Sequence, residues 1–149
     1  MTDATHVTEL LQCRQMGFGI HIWSIKLVSS CVGSCWLGVA LASDPYIRDK
    51  WLGETVSGWA YGLSGDTHHN NEPCHHILPT YQEGSIVKFR LDLTKQGTLS
   101  ASVDGGEEVL MFENMLMIGE EEVDRSFVPA VSLEDDGEVV RFLGFHRGG

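Results

Sequence analysis

The sequence predicts an all-β fold, either a sandwich or a barrel. The first observation is an alternation over Ile86–Leu93, where every second residue from Val87 on is apolar and Lys88, Arg90 and Asp92 point the other way. The second is the placing of the 17 glycines, which mark turns at roughly the spacing expected between short strands. The runs between these turns are short and rich in Val, Ile and aromatic residues, which favour strands over helices.

The clearest element is a hairpin. Ile86–Leu93 is followed by Lys95-Gln96-Gly97 and by a second alternating segment, Thr98–Val103. A period of two suits a strand with one buried and one solvated face, and a helix cannot use it. Gly97 can supply the positive φ that the turn requires. The apolar set predicted to face inward is Val87, Phe89, Leu91, Leu99, Ala101 and Val103, and the polar set predicted to face outward includes Thr98, Ser100 and Ser102.

Two other segments are less regular. Thr5–Met16 fits a helix capped by Gly17, with Val7, Leu10, Leu11 and Arg14 sharing a face, and it fits a strand nearly as well. Gly62–Tyr81 is predicted to be an irregular polar insertion at the surface.

Three tryptophans beside Gly or β-branched residues are assigned to the core: Trp23, Trp36 and Trp59.

The length, charge and composition of the chain limit the functions that it can have. The chain has 149 residues, enough for one domain with its own core. Its net charge of −11 and its acidic runs argue against nucleic acid and against an anionic membrane surface. No apolar run approaches the ~20 residues of a membrane span. The first five residues do not resemble a secretion signal, so the four cysteines are interpreted as reduced thiols in the cytoplasm or nucleus.

Nine short motifs follow one another in the order found in a known family. Each motif alone is weak evidence, and the order is what carries the resemblance. In chain order they are Ile22–Leu27, Trp36–Ala40, Gly58–Gly62, Gly84 with Val87–Leu93, Thr98–Ser100, Val103–Gly105, Met111–Phe112, Phe127–Leu133 and Val139–Phe142. From Gly17 to Phe145 this order resembles the SPRY domain, the shared core of the larger B30.2 modules. The resemblance implies a bent β-sandwich of two antiparallel sheets, with at most one or two short helices.

The resemblance also implies a division of the chain. Residues 17–146 would form the SPRY domain, residues 1–16 would be an N-terminal segment packing on it, and residues 147–149 would be a tail. The additional PRY segment is not found before Gly17, so the resemblance is to bare SPRY. The His-rich insertion after Gly62 is not a signature of the family.

The resemblance implies a protein-interaction module that binds a short peptide in a loop-lined groove, often within larger ubiquitin-ligase or signalling proteins. Part of that surface would come from the loop Pro45–Leu52. Trp51 is a large aromatic residue in this loop, with Tyr46 and Arg48 beside it, as in interface hot spots. The alternative is that Trp51 folds back over the edge of the sandwich.

A second loop would rim the same site. In the resembled family an apolar or aromatic residue often stands where Leu133 does, and the following Glu134 and Asp135 could pair with a basic or amide-rich segment of a partner. The alternative is a solvated acidic turn. We therefore expect a monomeric domain with a protein or peptide partner and no cofactor.

Other functional classes receive less support. His68, His69, Cys74 and His76 are the zinc candidates, but neighbouring histidines diverge and make poor chelators, so no metal is expected. A lectin-like glycan binder is a further alternative, with Asp66, Asn70 and Asn71 as possible calcium ligands. No nucleophile elbow, phosphate-binding loop or metalloprotease motif occurs, so no catalytic residue is predicted and the protein is not expected to be an enzyme.

Overall fold

The computed structural model describes residues 7–11, 15–28, 35–44, 50–74, 78–133 and 140–146, with residues 7–9 and 74 described by their backbone alone. Within these ranges the chain forms thirteen β-strands and no helix. The described part therefore contains no helix of a length and apolarity that could span a membrane. The predicted all-β class is confirmed.

The strands form two large antiparallel sheets and one small hairpin. Their bounds are β1 (Val7–Leu10), β2 (Ile20–Leu27), β3 (Cys35–Leu41), β4 (Gly58–Gly62), β5 (Thr67–His69), β6 (Glu72–Cys74), β7 (Ile86–Asp92), β8 (Thr98–Val103), β9 (Val109–Phe112), β10 (Met117–Ile118), β11 (Glu121–Glu122), β12 (Phe127–Leu133) and β13 (Val140–His146). The first sheet has the order β1-β12-β3-β4-β5-β6 and the second the order β13-β2-β7-β8-β9, while β10 pairs with β11. The β-sandwich architecture implied by the resemblance is confirmed.

The predicted hairpin is β7 and β8, and its register agrees with the alternation. Phe89 pairs with Ala101 and Leu91 with Leu99, and all four side chains are buried. Gly97 has φ +92°, the left-handed conformation expected at the turn.

Two serines on the outer face of β8 are more buried than the alternation predicts. Ser100 is 8% exposed and lies opposite Arg90, and Ser102 is 8% exposed and lies opposite Lys88. β8 is an inner strand, with β7 on one side and β9 on the other. A short side chain between such neighbours is shielded even on the solvated face, so an alternating pattern fixes the face of a residue and not its exposure.

The core lies between the two large sheets and is centred on aromatic contacts. Trp23 of β2 stacks on Phe89 of β7 with ring centroids 5.3 Å apart, and Trp59 of β4 meets Phe127 of β12 edge-on at 5.3 Å. The hydroxyl of Tyr81 lies 2.7 Å from the carbonyl oxygen of Tyr61, so a buried polar group is satisfied by the backbone. Burial raises the pKa of Tyr61 to about 12.

The N-terminal segment forms a strand where it is described. Val7–Leu10 pairs with β12, with Leu10 opposite Ala130, and the amide of Leu11 donates to the carbonyl of Pro129 at 2.8 Å. Of the two alternatives, the strand is therefore confirmed over Val7–Leu10. The open edge of β12 supplies backbone partners that the local sequence could not reveal.

The prediction of an irregular insertion over Gly62–Tyr81 is wrong for its central part. There β5 and β6 form a hairpin that extends the first sheet beyond β4. The turn consists of Asn70 and Asn71 with φ of 56° and 59°, and asparagine is one of the few residues that tolerate this conformation in a tight hairpin turn. The free edge of β4 makes this polar hairpin stable, since it completes the hydrogen bonding of β5.

We expect Phe89→Ala to destabilise the protein by about 3–5 kcal/mol, because it leaves a cavity beneath Trp23. The measurement is urea unfolding followed by tryptophan fluorescence. Lys88→Ala, on the exposed face of the same strand, is the control and should cost less than about 0.5 kcal/mol. A cost below about 1 kcal/mol for Phe89→Ala would contradict the central position of this ring in the core.

Candidate binding surface

The outer face of the first sheet is covered by the loop of residues 50–57. The sheet is shallow there because small residues face outward from its inner strands: Gly38, Ala40, Ala60 and Ala130. Leu52 fills the depression and is fully buried. Burial of a leucine side chain contributes about 1.5–3 kcal/mol, so this contact holds the loop on the sheet.

Hydrogen bonds fix the same loop at three places. The amide of Leu52 donates to Ser132 Oγ at 2.8 Å. On the side of the loop that faces the β5–β6 turn, the amide of Asn70 donates to the carbonyl oxygen of Thr55 at 3.0 Å. The amide of Asn71 donates to the carbonyl oxygen of Gly53 at 2.8 Å. The loop thus joins β12 to the turn between β5 and β6, and it presents a defined surface.

Trp51 lies on this surface in contact with two other rings, and we call Trp36, Trp51 and His68 the aromatic cluster. The ring centroids of Trp36 and Trp51 are 5.1 Å apart, those of Trp36 and His68 are 4.9 Å apart, and those of Trp51 and His68 are 5.5 Å apart. All three side chains are half-buried. The cluster is therefore packed on the sheet from below and open to solvent from above.

Two glycines determine how closely the tryptophan rings approach the backbone. A Cβ atom at Gly62 would lie 2.6 Å from Trp36 Cζ3, and one at Gly53 would lie 2.6 Å from Trp51 Cζ3. Both distances are far below van der Waals contact. The glycines are required here for close packing, since each ring occupies the space of a side chain.

Carboxylates border the aromatic cluster. Asp66 Oδ2 is 3.5 Å from His68 Nε2, and the carboxylate of Glu54 accepts from the amide of Trp51 at 3.3 Å. Asp66 is exposed and Glu54 is half-buried. Aromatic faces beside carboxylates attract cationic or amide-bearing groups through cation–π contacts and charge-assisted hydrogen bonds.

The structure describes two of the six predicted partner-binding residues. Trp51 lies in the aromatic cluster, and Leu133 is half-buried at the end of β12, where it packs against the main core and pairs with Cys35. The bond between Leu52 and Ser132 brings the segments that carry Trp51 and Leu133 together, but the side chain of Leu133 shares the core face of Val131 and the aromatic cluster lies on the outer face. The other four lie outside the described residues: Tyr46, Arg48, Glu134 and Asp135. The partner-binding role of all six stays a prediction.

The aromatic cluster contains two residues that the binding-site prediction did not include. Trp36 is half-buried and packs on the smaller apolar cluster of the outer face rather than in the main core, whereas Trp23 and Trp59 are confirmed as core residues at 0% and 3% exposure. The signal was present in β3, because Leu37 and Val39 face inward and the alternation then places Trp36 outward. His68 carried no such signal, since its strand was not predicted.

The predicted zinc candidates divide between the two faces of the first sheet. His68 joins the aromatic cluster outside, whereas His69 stacks on Trp59 at 4.4 Å toward the core. His76 and the side chain of Cys74 lie outside the described residues. In the part of the chain that the structure describes, no group of three or more His, Cys, Asp or Glu side chains could hold a metal ion.

Comparison with known proteins agrees with this architecture. The model of the SPRY domain family matches residues 20–145. The crystal structure of the SPRY domain of human HERC1 superposes with a TM-score of 0.74 and 21% sequence identity, over 93% of this chain and 83% of that chain. No curated protein sequence matches. SPRY domains are generally protein-interaction modules and do not form an enzyme family.

We expect Gly53→Ala to displace Trp51 and to cost about 1–3 kcal/mol, because the new methyl group overlaps the indole ring. Near-ultraviolet circular dichroism would report the changed packing of the tryptophan, and urea unfolding would report the stability. Gly17→Ala is the matched control, since nothing lies within 4 Å of a Cβ atom there. An unchanged tryptophan spectrum in Gly53→Ala would show that the ring does not occupy this position.

Proposed function

Because this chain belongs to the SPRY domain family, we propose that it binds a short peptide segment of a partner protein on the surface around Trp51. The observation that carries the proposal is the aromatic cluster. It offers half-buried rings on a sheet that is already ordered, and aromatic anchors in partly enclosed positions dominate the energy of protein interfaces.

The fixed loop supports the proposal energetically. Leu52 is fully buried beneath the loop, and its amide is bonded to Ser132. A surface that is ordered before binding avoids most of the entropy cost of fixing loops and side chains. An affinity on the order of micromolar is then reasonable for a short segment.

We propose a partner segment that is basic or rich in amide donors. The carboxylates of Asp66 and Glu54 border the rings, and the net charge of −11 favours encounter with cationic segments. At the end of β12, the half-buried Leu133 would contribute only the apolar surface that it does not bury against the main core, and the predicted rim would be completed by Tyr46, Arg48, Glu134 and Asp135.

The biological setting is proposed at the level of the family. We propose that this domain acts as a monomeric, non-catalytic recognition module in the cytoplasm or nucleus, within a larger ubiquitin-ligase or signalling protein. Binding by the domain would then select the partner, and chemistry would be carried out elsewhere.

Among peptides selected from a random phage-displayed library on the unmodified protein, we expect a class whose binding is abolished by Trp51→Ala. Loss of its contacts with Trp36 should also lower the stability by about 1–2 kcal/mol, since the ring is half-buried. Trp51→Phe should keep a partial contact and an intermediate affinity. Binding would be measured by isothermal titration calorimetry and stability by urea unfolding.

Leu143→Ala is the matched control for this experiment. Leu143 is an apolar side chain with 45% exposure on the edge strand β13 of the other sheet. Its truncation should leave peptide affinity unchanged. If no selected peptide loses affinity for Trp51→Ala, the proposed surface is wrong.

A further inference from the structure

A second groove lies on the side of β5 opposite the aromatic cluster, where His69 rather than His68 contributes to the lining. It has a volume of about 800 Å³ and lies between the β5–β6 hairpin of one sheet and the segment 111–119 of the other. Its apolar lining comes from Trp59, Met111, Phe112, Met115, Met117 and Ile118. Methionines adapt their shape to an incoming side chain, so this lining suits an apolar ligand of irregular shape.

The floor of the groove is held by stacked rings. His69 lies parallel to Trp59 at 4.4 Å, and its Nδ1 donates to the carbonyl of Gly58 at 2.9 Å. Phe112 of the opposite sheet is 6.4 Å from the His69 ring. Above this floor, Val56 and Ile118 are 54% and 59% exposed. A ligand bound in the groove would therefore bury apolar surface that is exposed to solvent in the free protein.

Arg125 is a half-buried cation in the lining of this groove. It donates to the carbonyl of Met115 at 3.4 Å, and it forms no ion pair within the part of the chain that the structure describes. Burial lowers the pKa of its guanidinium. A partly desolvated guanidinium with most of its N–H groups unused gains strongly from a carboxylate, which it can bind through two parallel hydrogen bonds.

We propose that this groove binds a partner segment in which an Asp or Glu side chain lies between apolar residues. The carboxylate would bond to the guanidinium of Arg125, and the apolar neighbours would enter the space lined by the methionines. This ligand is opposite in charge to the one proposed for the aromatic cluster, so the domain would hold two different segments at two sites.

The position of Arg125 favours an acidic residue inside a segment over a terminal carboxylate. Arg125 also lines a neighbouring cavity of about 420 Å³, whose apolar lining includes Phe18 and Leu93 and whose other charged residues are Lys95 and the exposed Glu122 and Asp124. A segment that continues from one cavity into the other would pass the guanidinium with its chain uninterrupted.

Two carboxylates in the larger groove oppose an acidic ligand less strongly than Arg125 attracts one. Glu72 and Glu113 are both exposed, so water screens them, whereas Arg125 is half-buried. His69 also faces the groove. Its pKa is lowered by burial and, to a smaller degree, by the charge of Arg125, while its bond to Gly58 raises it. A carboxylate bound to Arg125 should raise the pKa of His69 by offsetting that charge.

The test begins with peptides selected from a random phage-displayed library on the unmodified protein. Peptides that bind Trp51→Ala with full affinity are retained, which separates this groove from the surface around Trp51. Among them we expect an Asp or Glu flanked by apolar residues. Arg125→Gln should weaken their binding by about tenfold or more, and Arg125→Lys should weaken it less, because lysine keeps the charge and loses the paired hydrogen bonds.

Two controls test whether the acidic side chain of the peptide is the group that binds Arg125. Lys88→Gln removes an exposed cation that lines neither of the two cavities and should change affinity by less than about twofold. Replacing the acidic residue of the peptide by its amide should weaken binding to the unmodified protein by about tenfold, a measurement that does not depend on the folding of any variant. The His69 resonance, followed by NMR during a pH titration, should shift its midpoint upward when an acidic peptide is bound.

The proposal is overturned if no retained peptide carries an acidic residue, or if no peptide binds independently of Trp51. It is equally overturned if the amide-substituted peptide or Arg125→Gln retains full affinity. Peptides that bind only through a free C-terminal carboxylate would also contradict the internal acidic segment. None of these outcomes affects the surface around Trp51, because that proposal fails only if no selected peptide loses affinity for Trp51→Ala.

Discussion

The alternation of β3 is the constraint on which both faces of the first sheet depend. Leu37, Val39 and Leu41 face the second sheet and pack in the main core. The two residues between them, Gly38 and Ala40, face outward and are too small to fill that surface. Because strand side chains alternate strictly, a shift of register by one residue would exchange the two sets and destroy both surfaces.

The small outward residues explain how a loop becomes part of the scaffold. Leu52 is buried on alanines of three neighbouring strands, and Ser132 of β12 accepts a hydrogen bond from its amide. Trp51 directly precedes Leu52 in the chain, so the position of Trp51 follows from that of Leu52. The same logic makes Gly53 and Gly62 necessary, since the rings of Trp51 and Trp36 lie where side chains would otherwise stand. A recognition surface is thereby built on rigid strands.

Charge is distributed unevenly over this acidic chain. The aromatic cluster is bordered by Asp66 and Glu54, while the methionine-lined groove contains the half-buried Arg125. The net charge of −11 sets the long-range field, and a single desolvated guanidinium can still dominate locally because water screens exposed carboxylates much more than buried groups. Two ligands of opposite character are therefore compatible with one small domain.

The sequence by itself determined the strands that alternate clearly. The register of β7 and β8, the turn at Gly97 and the core positions of Trp23 and Phe89 were predicted because a local period of two directly reports the two faces of a strand. The order of short motifs also predicted the β-sandwich. For the binding surface, the sequence singled out Trp51 as an aromatic residue in a loop.

Only the tertiary structure decided which strand edges were open and what gathered around Trp51. The β5–β6 hairpin depends on the free edge of β4, and the aromatic cluster joins residues from β3, a loop and β5. The groove around Arg125 likewise joins segments from both sheets. Contacts between residues far apart in the chain leave no local period, and the partial burial of the Arg125 guanidinium is a property of its surroundings rather than of its own position in the sequence.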